Sequence, residues 1–364
     1  MSHTRRRARI LRAAIDRSGP EDPTQADWNE WIELARSERV LPLLYRVATS
    51  PTSELTREQR DHATEIQLDV MATMVRFEHD LLDVTRELVS HGIQFAVLKG
   101  MATTHLDYAD PALRQFADAD VLVAPHDMSH ACDVLAAAGW RQAYPLPRFH
   151  ESFTHAVTLR NGRRIEIDLH QRIAHRAIGE LIRTEALLAD RVEFSIAGTP
   201  LWALSDRDRL IHAAVHALTS RGVYRRLSST ADVLVLSDAQ SGSAAAILDR
   251  AESWRVRPIV ERSVRAAYSD AALTLPEAWT AAIARPLAHR DRLVEHAYLS
   301  ARRRPLLEEL AYLRLMHGVS DRVRYVRGYF ATDSEYAARN QRRGIIPQSK
   351  YLWSRIRSGS APPE

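Results

Sequence analysis

FAVLKGMATTHLDYADPALRQFADAD, residues 95–120, is the most informative segment of the sequence for predicting the fold. It opens with an apolar run that ends in Lys99-Gly100, a pattern typical of a buried strand that turns directly into a helix. Asp118 and Asp120 follow one residue apart, at the start of a second apolar run. Because side chains alternate between the two faces of a strand, both carboxylates would project from the same face. The stretch therefore predicts a strand, a helix whose N-terminus lies at Gly100, and a second strand that carries two acids.

Asn161-Gly162 predicts a hairpin downstream, because this pair is preferred in two-residue type I′ turns and lies between the strand-like runs SFTHAVTL and RIEIDLH. That loop would pair Arg160 with Arg163, Val157 with Glu166 and His155 with Asp168. The alternation also places Glu166, Asp168 and His170 on one face and Ile165, Ile167 and Leu169 on the core face. A slip of one residue would reverse the assignment. The hairpin thus supplies a third carboxylate, Asp168, with histidines beside it.

Helical patterns flank this region on both sides. Before Ile93 the apolar residues recur at helical spacing, and after Pro200 the chain returns to the same pattern. We predict an α+β fold in which a small mixed β-sheet core is flanked by N-terminal and C-terminal helical regions. The predicted boundaries are 1–75 for the N-terminal helical region, 76–200 for the core, and 201–364 for the C-terminal helical region with its extended tail.

Composition narrows the class of protein. The chain has 364 residues, of which 45% are hydrophobic and 26% charged, an ordinary globular composition. The formal charge of +4 is compatible with phosphate-bearing substrates but is far below that of a dedicated nucleic-acid-binding protein. Cys132 is the single cysteine, which excludes an intramolecular disulfide and a cysteine zinc site and suits a reducing compartment. With no apolar run of about 18–20 residues and no signal-peptide pattern, a cytoplasmic location without membrane contact is expected.

Three aspartates on two strands predict a metal site for phosphoryl or nucleotidyl chemistry. Carboxylate oxygens are the ligands that Mg²⁺ prefers, and this chemistry uses two such ions about 3.5–4 Å apart. Asp-x-Asp alone is a weak signal, because it occurs by chance in many proteins. Together with the glycine turn, a helix N-terminus able to receive phosphate, and the third aspartate in the hairpin, it becomes more specific.

The order of these motifs resembles a known family. A strand, LKG, a helix, Arg-x3-Asp-x-Asp, a helix followed by Gly-Trp, and a hairpin ending in IDLH are similar to the bacterial family of uncharacterised nucleotidyltransferases, within the polymerase-beta-like superfamily. ARSERVLPLLYR, HAAVHAL and RRLSSTADVLVL extend the resemblance over about residues 25–350. The usual Gly-Ser of the superfamily is Gly100-Met101 here. The resemblance implies transfer of a nucleoside monophosphate from an NTP, with ATP the first choice, to an acceptor, and release of pyrophosphate.

The resemblance also implies roles for the acids. Asp118 and Asp120 would bind both metal ions, and Asp168 would bind the catalytic one and help to deprotonate the acceptor. The alternative for each is a solvated acid at a strand edge. His155 and His170 would orient Asp168 by hydrogen bonding, or are partly buried hairpin histidines.

Phosphate contacts are expected on the strand-to-helix turn. Lysine occurs only at Lys99 and Lys350, whereas 48 of the 50 basic residues are arginine, so a lysine in an apolar strand stands out. Lys99 and Arg114 are candidate phosphate contacts, with a buried lysine paired to an aspartate and a surface arginine as the alternatives. Gly100 would let the backbone approach the triphosphate, or simply forms the turn.

Other polar residues have weaker assignments. His212 and His216, four apart on a helix, favour packing or nucleotide contact over zinc. Arg225 and Arg226 suit phosphate, an acidic acceptor or a solvated surface, and Asp232 is expected to be structural.

The acceptor is less determined than the donor. A hydroxyl on a small molecule or on a peptide or protein is favoured over RNA, because no basic stripe interleaved with aromatics is present. The rival interpretations are a non-catalytic nucleotide- or partner-binding module on the same fold, and a toxin-like transferase that acts on tRNA or protein.

Overall fold

The computed structural model describes residues 3–17, 22–116, 118–143, 155–162, 166–174, 176–219 and 226–287, and positions 313, 319, 320, 322, 323 and 326. In these residues a seven-stranded mixed sheet has helices before and after it in the chain, which confirms the predicted α+β fold. The strands are β1 (Phe95–Leu98), β2 (Ala119–Val123), β3 (Arg141–Gln142), β4 (Ala156–Arg160), β5 (Glu166–His170), β6 (Val192–Ile196) and β7 (Thr199–Ala203).

The described helices fall into three groups along the chain. The first group is α1 (His3–Ala14), α2 (Trp28–Ser37), α3 (Leu41–Ala48) and α4 (Arg57–Ser90). Those between strands are α5 (Lys99–Leu106), α6 (Met128–Ala137), α7 (Arg176–Leu181) and α8 (Thr184–Ala189), with a 3₁₀ turn at Pro111–Leu113. The last group is α9 (Asp206–Thr219), α10 (Leu227–Ala239), α11 (Ala244–Ser253), α12 (Arg257–Asp270) and α13 (Glu277–Ile283), with a 3₁₀ turn at Ser241–Ser243. No described helix has the length and hydrophobicity needed to cross a membrane.

Helix α4 is the longest described element and leads into the sheet. Thr56 and Gln59 form a capping box at its start, in which each side chain accepts a hydrogen bond from the backbone of the other. Leu81, Val84 and Leu88 form its fully buried stripe, as the helical spacing predicts. Because α4 is one continuous helix, it crosses the boundary expected at residue 75.

The strand order β3-β4-β5-β2-β1-β7-β6 places the acid-bearing strands side by side near the middle of the sheet. β2 runs antiparallel to β1 and parallel to β5. In the β2–β5 register, Asp120 is the partner of Asp168. The alternation of each strand therefore brings the two carboxylates to adjacent positions on one face of the sheet.

The hairpin register predicted from Asn161-Gly162 is wrong. Arg160 pairs with Glu166, and Thr158 rather than His155 pairs with Asp168. Arg163 and Ile165 lie outside the described residues. The physical reason is burial: the observed register sets Val157 and Leu159 beside Leu169 and Ile167, and all four side chains are almost completely buried. A local turn preference does not outweigh the burial of one whole strand face.

A second hairpin, formed by β6 and β7, completes the sheet. Ala197 and Gly198 connect the strands with positive φ angles of 48° and 78°, as type I′ turns require. β7 then pairs in parallel with β1 through Ala203 and Val97. The sequence pattern predicts no strand here and helix after Pro200, and this prediction is wrong for residues 201–203.

Candidate active site

Asp120 is the most enclosed acid of the candidate site. Its side chain is 1% exposed, and its Oδ1 accepts hydrogen bonds from Lys99 Nζ at 2.5 Å and from His170 Nε2 at 2.6 Å. Burial raises the pKa of Asp120, but the Lys99 charge and the two hydrogen bonds outweigh burial and hold the pKa well below its ordinary value. Asp120 is therefore an ionised carboxylate inside the protein.

Lys99 reaches Asp120 because of an unusual backbone turn. Its φ of 50° lies in the left-handed region, which non-glycine residues seldom adopt, and α5 begins at this residue. Burial lowers the pKa of Lys99, but the attraction of Asp120, Asp118 and Asp168 outweighs it, so the pKa is raised. The ammonium thus lies among three carboxylates. The ion pair between Lys99 and Asp120 matches the alternative expected for Lys99, a buried lysine paired to an aspartate, rather than a free phosphate contact.

Asp168 lies next to Asp120 with a partner of its own. The Thr158 hydroxyl donates a 2.6 Å hydrogen bond to Asp168 Oδ1 across the hairpin. Ligand atoms of Asp120, Asp168 and His170 all lie within 4.8 Å of one another, close enough to hold one cation together. This cluster differs from the predicted trio, in which Asp118 stands in the place of His170.

Asp118 lies apart from that cluster, at the edge of a cavity. Within the described residues its carboxylate forms no hydrogen bond and no ion pair, although it is half-buried. Burial raises its pKa, repulsion from Asp120 and Asp168 adds to the rise, and attraction to Lys99 and Arg39 opposes it. A cation that enters the site would therefore stabilise the ionised form of Asp118.

The cavity has a volume of about 280 Å³ and is built by all three parts of the chain. The N-terminal helices supply Arg39, the sheet region supplies Lys99 and Asp118, and the C-terminal helices supply His212 and Arg226. Sequence reasoning missed Arg39 altogether. The quoted segment ARSERVLPLLYR contains it, but nothing in the pattern separates it from other arginines.

Arg114 and Gly100 form the cavity wall through contacts with protein groups. Arg114 donates to both carboxylate oxygens of Asp232, at 2.6 and 2.8 Å, and the Tyr108 hydroxyl donates to the same carboxylate. The Asp232 charge raises the pKa of Arg114 in spite of burial, which lowers it. A Cβ on Gly100 would lie 2.9 Å from the Cβ of Phe116, so only glycine fits this contact. Arg114 and Gly100 thus each have a structural role, an ion pair and a close packing contact, that does not require a bound phosphate.

The histidines occupy two places. The rings of His155 and His170 meet edge to face with centroids 5.5 Å apart, so His155 touches His170 rather than standing opposite Asp168. His212 and His216 lie on the cavity wall, and burial, with Lys99 nearby, lowers the pKa of both, that of His216 to about 3. The lowered pKa values keep both rings neutral near pH 7, and the metal-ligand clusters found in the described residues include neither.

Thr158→Val tests whether the register described for the hairpin matters to the site. The variant removes the hydroxyl that Asp168 accepts from and preserves the side-chain volume, so we expect turnover to fall about 10-fold to 100-fold, as for loss of a group that orients a metal ligand. Thr158→Ser, which keeps the hydroxyl, is the matched control. Equal kcat values for wild type and Thr158→Val would contradict the assigned contact.

The mixed sheet carries paired carboxylates on adjacent strands beside a cavity, an arrangement of oxygen donors that could hold a cation. The family model described as "Uncharacterised nucleotidyltransferase" matches residues 24–269, more than half of the chain. The chain belongs to this family, as the sequence motifs predicted. Membership supports nucleotidyl transfer as the general activity and a transferase as the class of enzyme.

Comparison with solved structures adds two similar proteins. The solution structure of the antibiotic-resistance factor ANT(2'')-Ia shares 15% identity, with a TM-score of 0.36, over 54% of this chain and 96% of that one. An antigenic nucleotidyltransferase-like protein from Paracoccidioides brasiliensis shares 16% identity, with a TM-score of 0.33, over 51% of this chain and 87% of that one. No curated protein sequence gives a significant match.

Proposed function

We propose that this protein is a Mg²⁺-dependent nucleotidyltransferase that moves a nucleoside monophosphate from an NTP, most naturally ATP, to a hydroxyl acceptor and releases pyrophosphate. The observation that carries the proposal is the pairing of Asp120 with Asp168 across parallel strands, with Asp118 two residues earlier at the cavity edge. In a member of a nucleotidyltransferase family, this arrangement of acids favours catalysis over a binding module without turnover.

The residues fit Mg²⁺ by the chemistry of their donor atoms. Asp118, Asp120 and Asp168 would hold two ions through carboxylate oxygens, the donors that this cation prefers. Bound Mg²⁺ would neutralise triphosphate charge and lower the pKa of the acceptor hydroxyl. His170 donates to Asp120, and this hydrogen bond fixes the orientation of the carboxylate.

The side chains then have separable tasks. Asp168, oriented by Thr158, takes the proton of the acceptor hydroxyl. The acceptor oxygen attacks the α-phosphorus in line, the bond from that phosphorus to the bridging oxygen breaks, and pyrophosphate leaves with the electron pair. Lys99, whose ammonium lies against Asp120 at the cavity wall, reduces the charge repulsion between the acids and the phosphates.

The acceptor is proposed by class. We favour a hydroxyl on a small molecule or on a peptide or protein, and an RNA end less, because the basic groups beside the acids line a confined cavity rather than an extended aromatic groove. A toxin-like transferase that acts on tRNA or protein would share the same chemistry. A cytoplasmic location, where NTPs are abundant, suits this reaction.

The test is release of pyrophosphate. The purified chain is incubated with Mg²⁺, each labelled NTP in turn and a cell extract, and labelled adducts are identified by mass spectrometry. We expect Mg²⁺-dependent release and a nucleotide adduct, and neither with Asp168→Asn. Absence of release with all four NTPs, or full release by Asp168→Asn, would overturn the proposed reaction.

A further inference from the structure

Among the described residues, the cavity wall carries two arginines that form no ion pair with an acid. Five cationic side chains line it, namely Arg39, Lys99, Arg114, Arg209 and Arg226. Lys99 pairs with Asp120, Arg114 with Asp232, and Arg209 with Asp107. Within the described ranges, the side chains of Arg39 and Arg226 make no hydrogen bond or ion pair. These two therefore differ from the other cations of the same wall.

The two arginines are close enough to repel each other. Burial lowers the pKa of Arg39, and repulsion from Arg226 and Arg114 lowers it further, while Asp118 opposes the shift. Like charges side by side cost free energy unless an anion lies between them. A guanidinium binds a phosphate through two parallel hydrogen bonds, so a pair of them is suited to a polyphosphate.

The backbone holds this repulsive pair in place. Glu38, the residue before Arg39, accepts a 2.8 Å hydrogen bond from the N–H of Leu227, the residue after Arg226. The Glu38 carbonyl accepts a second hydrogen bond, from the N–H of Ser228 at 3.3 Å. Glu38 also forms an ion pair with Arg7, so its carboxylate is committed to that arginine and to the start of α10. The contact thus joins the two helical regions at the point where their arginines meet.

We propose that Arg39 and Arg226 form a clamp for the β- and γ-phosphates of the nucleotide donor. The proposal rests on the nucleotidyltransferase function argued above, because Asp118 and Lys99 line the same cavity and would flank the α-phosphate. With Arg39 as a phosphate ligand, the N-terminal helical region would form part of the binding site for the nucleotide donor. The clamp also binds the leaving pyrophosphate, since that product retains both terminal phosphates.

Tripolyphosphate is the probe that isolates the clamp, because it has the phosphates of the donor and no base or sugar. Isothermal titration calorimetry is run without metal on the full chain, on Arg39→Gln and on Arg226→Gln. Each variant loses one charge-assisted contact with the phosphates. We therefore expect the affinity of each variant for tripolyphosphate to fall between about 10-fold and 100-fold relative to the wild type. Arg36→Gln is the matched control, because Arg36 lies exposed on α2, three residues before Arg39, and does not line the cavity. Urea unfolding checks that all variants fold equally well.

Two readouts separate the clamp from the reaction itself. AMP, which lacks the β- and γ-phosphates, should bind equally to wild type and to both variants, whereas the KM for NTP should rise in both. Unchanged tripolyphosphate affinity, or a rise only in the KM for the acceptor, overturns the clamp even if turnover is robust. Arginine-dependent tripolyphosphate binding without turnover by the wild type supports the clamp and refutes the transferase reaction.

Discussion

Asp120→Asn is expected to lower pyrophosphate release by more than about 100-fold, beyond the cost of losing a group that merely orients a metal ligand. Asparagine has nearly the same shape but no charge, so it weakens cation binding and the hold on Lys99 and His170 together. Steady-state kinetics with a Mg²⁺ titration measures both effects. Asp133→Asn, on the exposed surface of α6, is the control that should keep full activity. Retention of more than a tenth of wild-type kcat by Asp120→Asn would place the chemistry elsewhere.

The same variant has a stability component that can be measured separately. Removing one partner of a buried ion pair destabilises the protein, and we expect a cost of up to about 3 kcal/mol here, because Lys99 is partly exposed and keeps Asp118 and Asp168 nearby. Adding Lys99→Met to Asp120→Asn should recover most of that free energy of unfolding without recovering turnover. Recovery of turnover by the double variant would mean that the Asp120 charge serves only to balance Lys99.

Asp232→Ala is expected to produce the largest loss of stability, about 3–5 kcal/mol in the free energy of unfolding. Arg114 and Tyr108 both donate to this carboxylate, and the Arg114 side chain is 13% exposed, so the variant leaves a cation and a hydroxyl without their partner. Urea unfolding monitored by tryptophan fluorescence gives the difference. Asp133→Ala, at an exposed position, should change it by less than about 0.5 kcal/mol.

A second variant decides whether the loss comes from the unbalanced charge. Arg114→Met combined with Asp232→Leu replaces the ion pair by apolar side chains, which is often close to neutral. The double variant should therefore be more stable than Asp232→Ala. A loss below about 1 kcal/mol for Asp232→Ala would contradict the buried network and return Arg114 to the role of a free phosphate contact.

Alternation of side chains and the apolar runs were sufficient to predict much of the fold. β1 and β2 follow from residues near each other in sequence, and short-range sterics govern such residues. The family assignment from the same motifs is confirmed. The hairpin strands were also found, but their register depends on Val157 and Leu159 being buried, and a turn preference does not contain that information.

The candidate site was less predictable because its contacts join distant segments. Arg114 forms an ion pair with Asp232, which lies 118 residues later in the chain. Because the sequence does not show this contact, it was equally compatible with Arg114 as a phosphate contact. Thr158 could be assigned to the site only from the observed hairpin register, which pairs it with Asp168. Arg39 was missed because the properties that distinguish it, its place on the cavity wall and the lack of an ion pair among the described residues, exist only in three dimensions.

The contact between Glu38 and Leu227 also bears on the order of folding. The two residues lie 189 positions apart, so their encounter requires closure of a very long loop. Contacts of such sequence separation tend to form after local helices and neighbouring strands have done so. The cavity would then be completed late, as the N-terminal and C-terminal helical regions come together, and a bound polyphosphate would slow unfolding most at this junction.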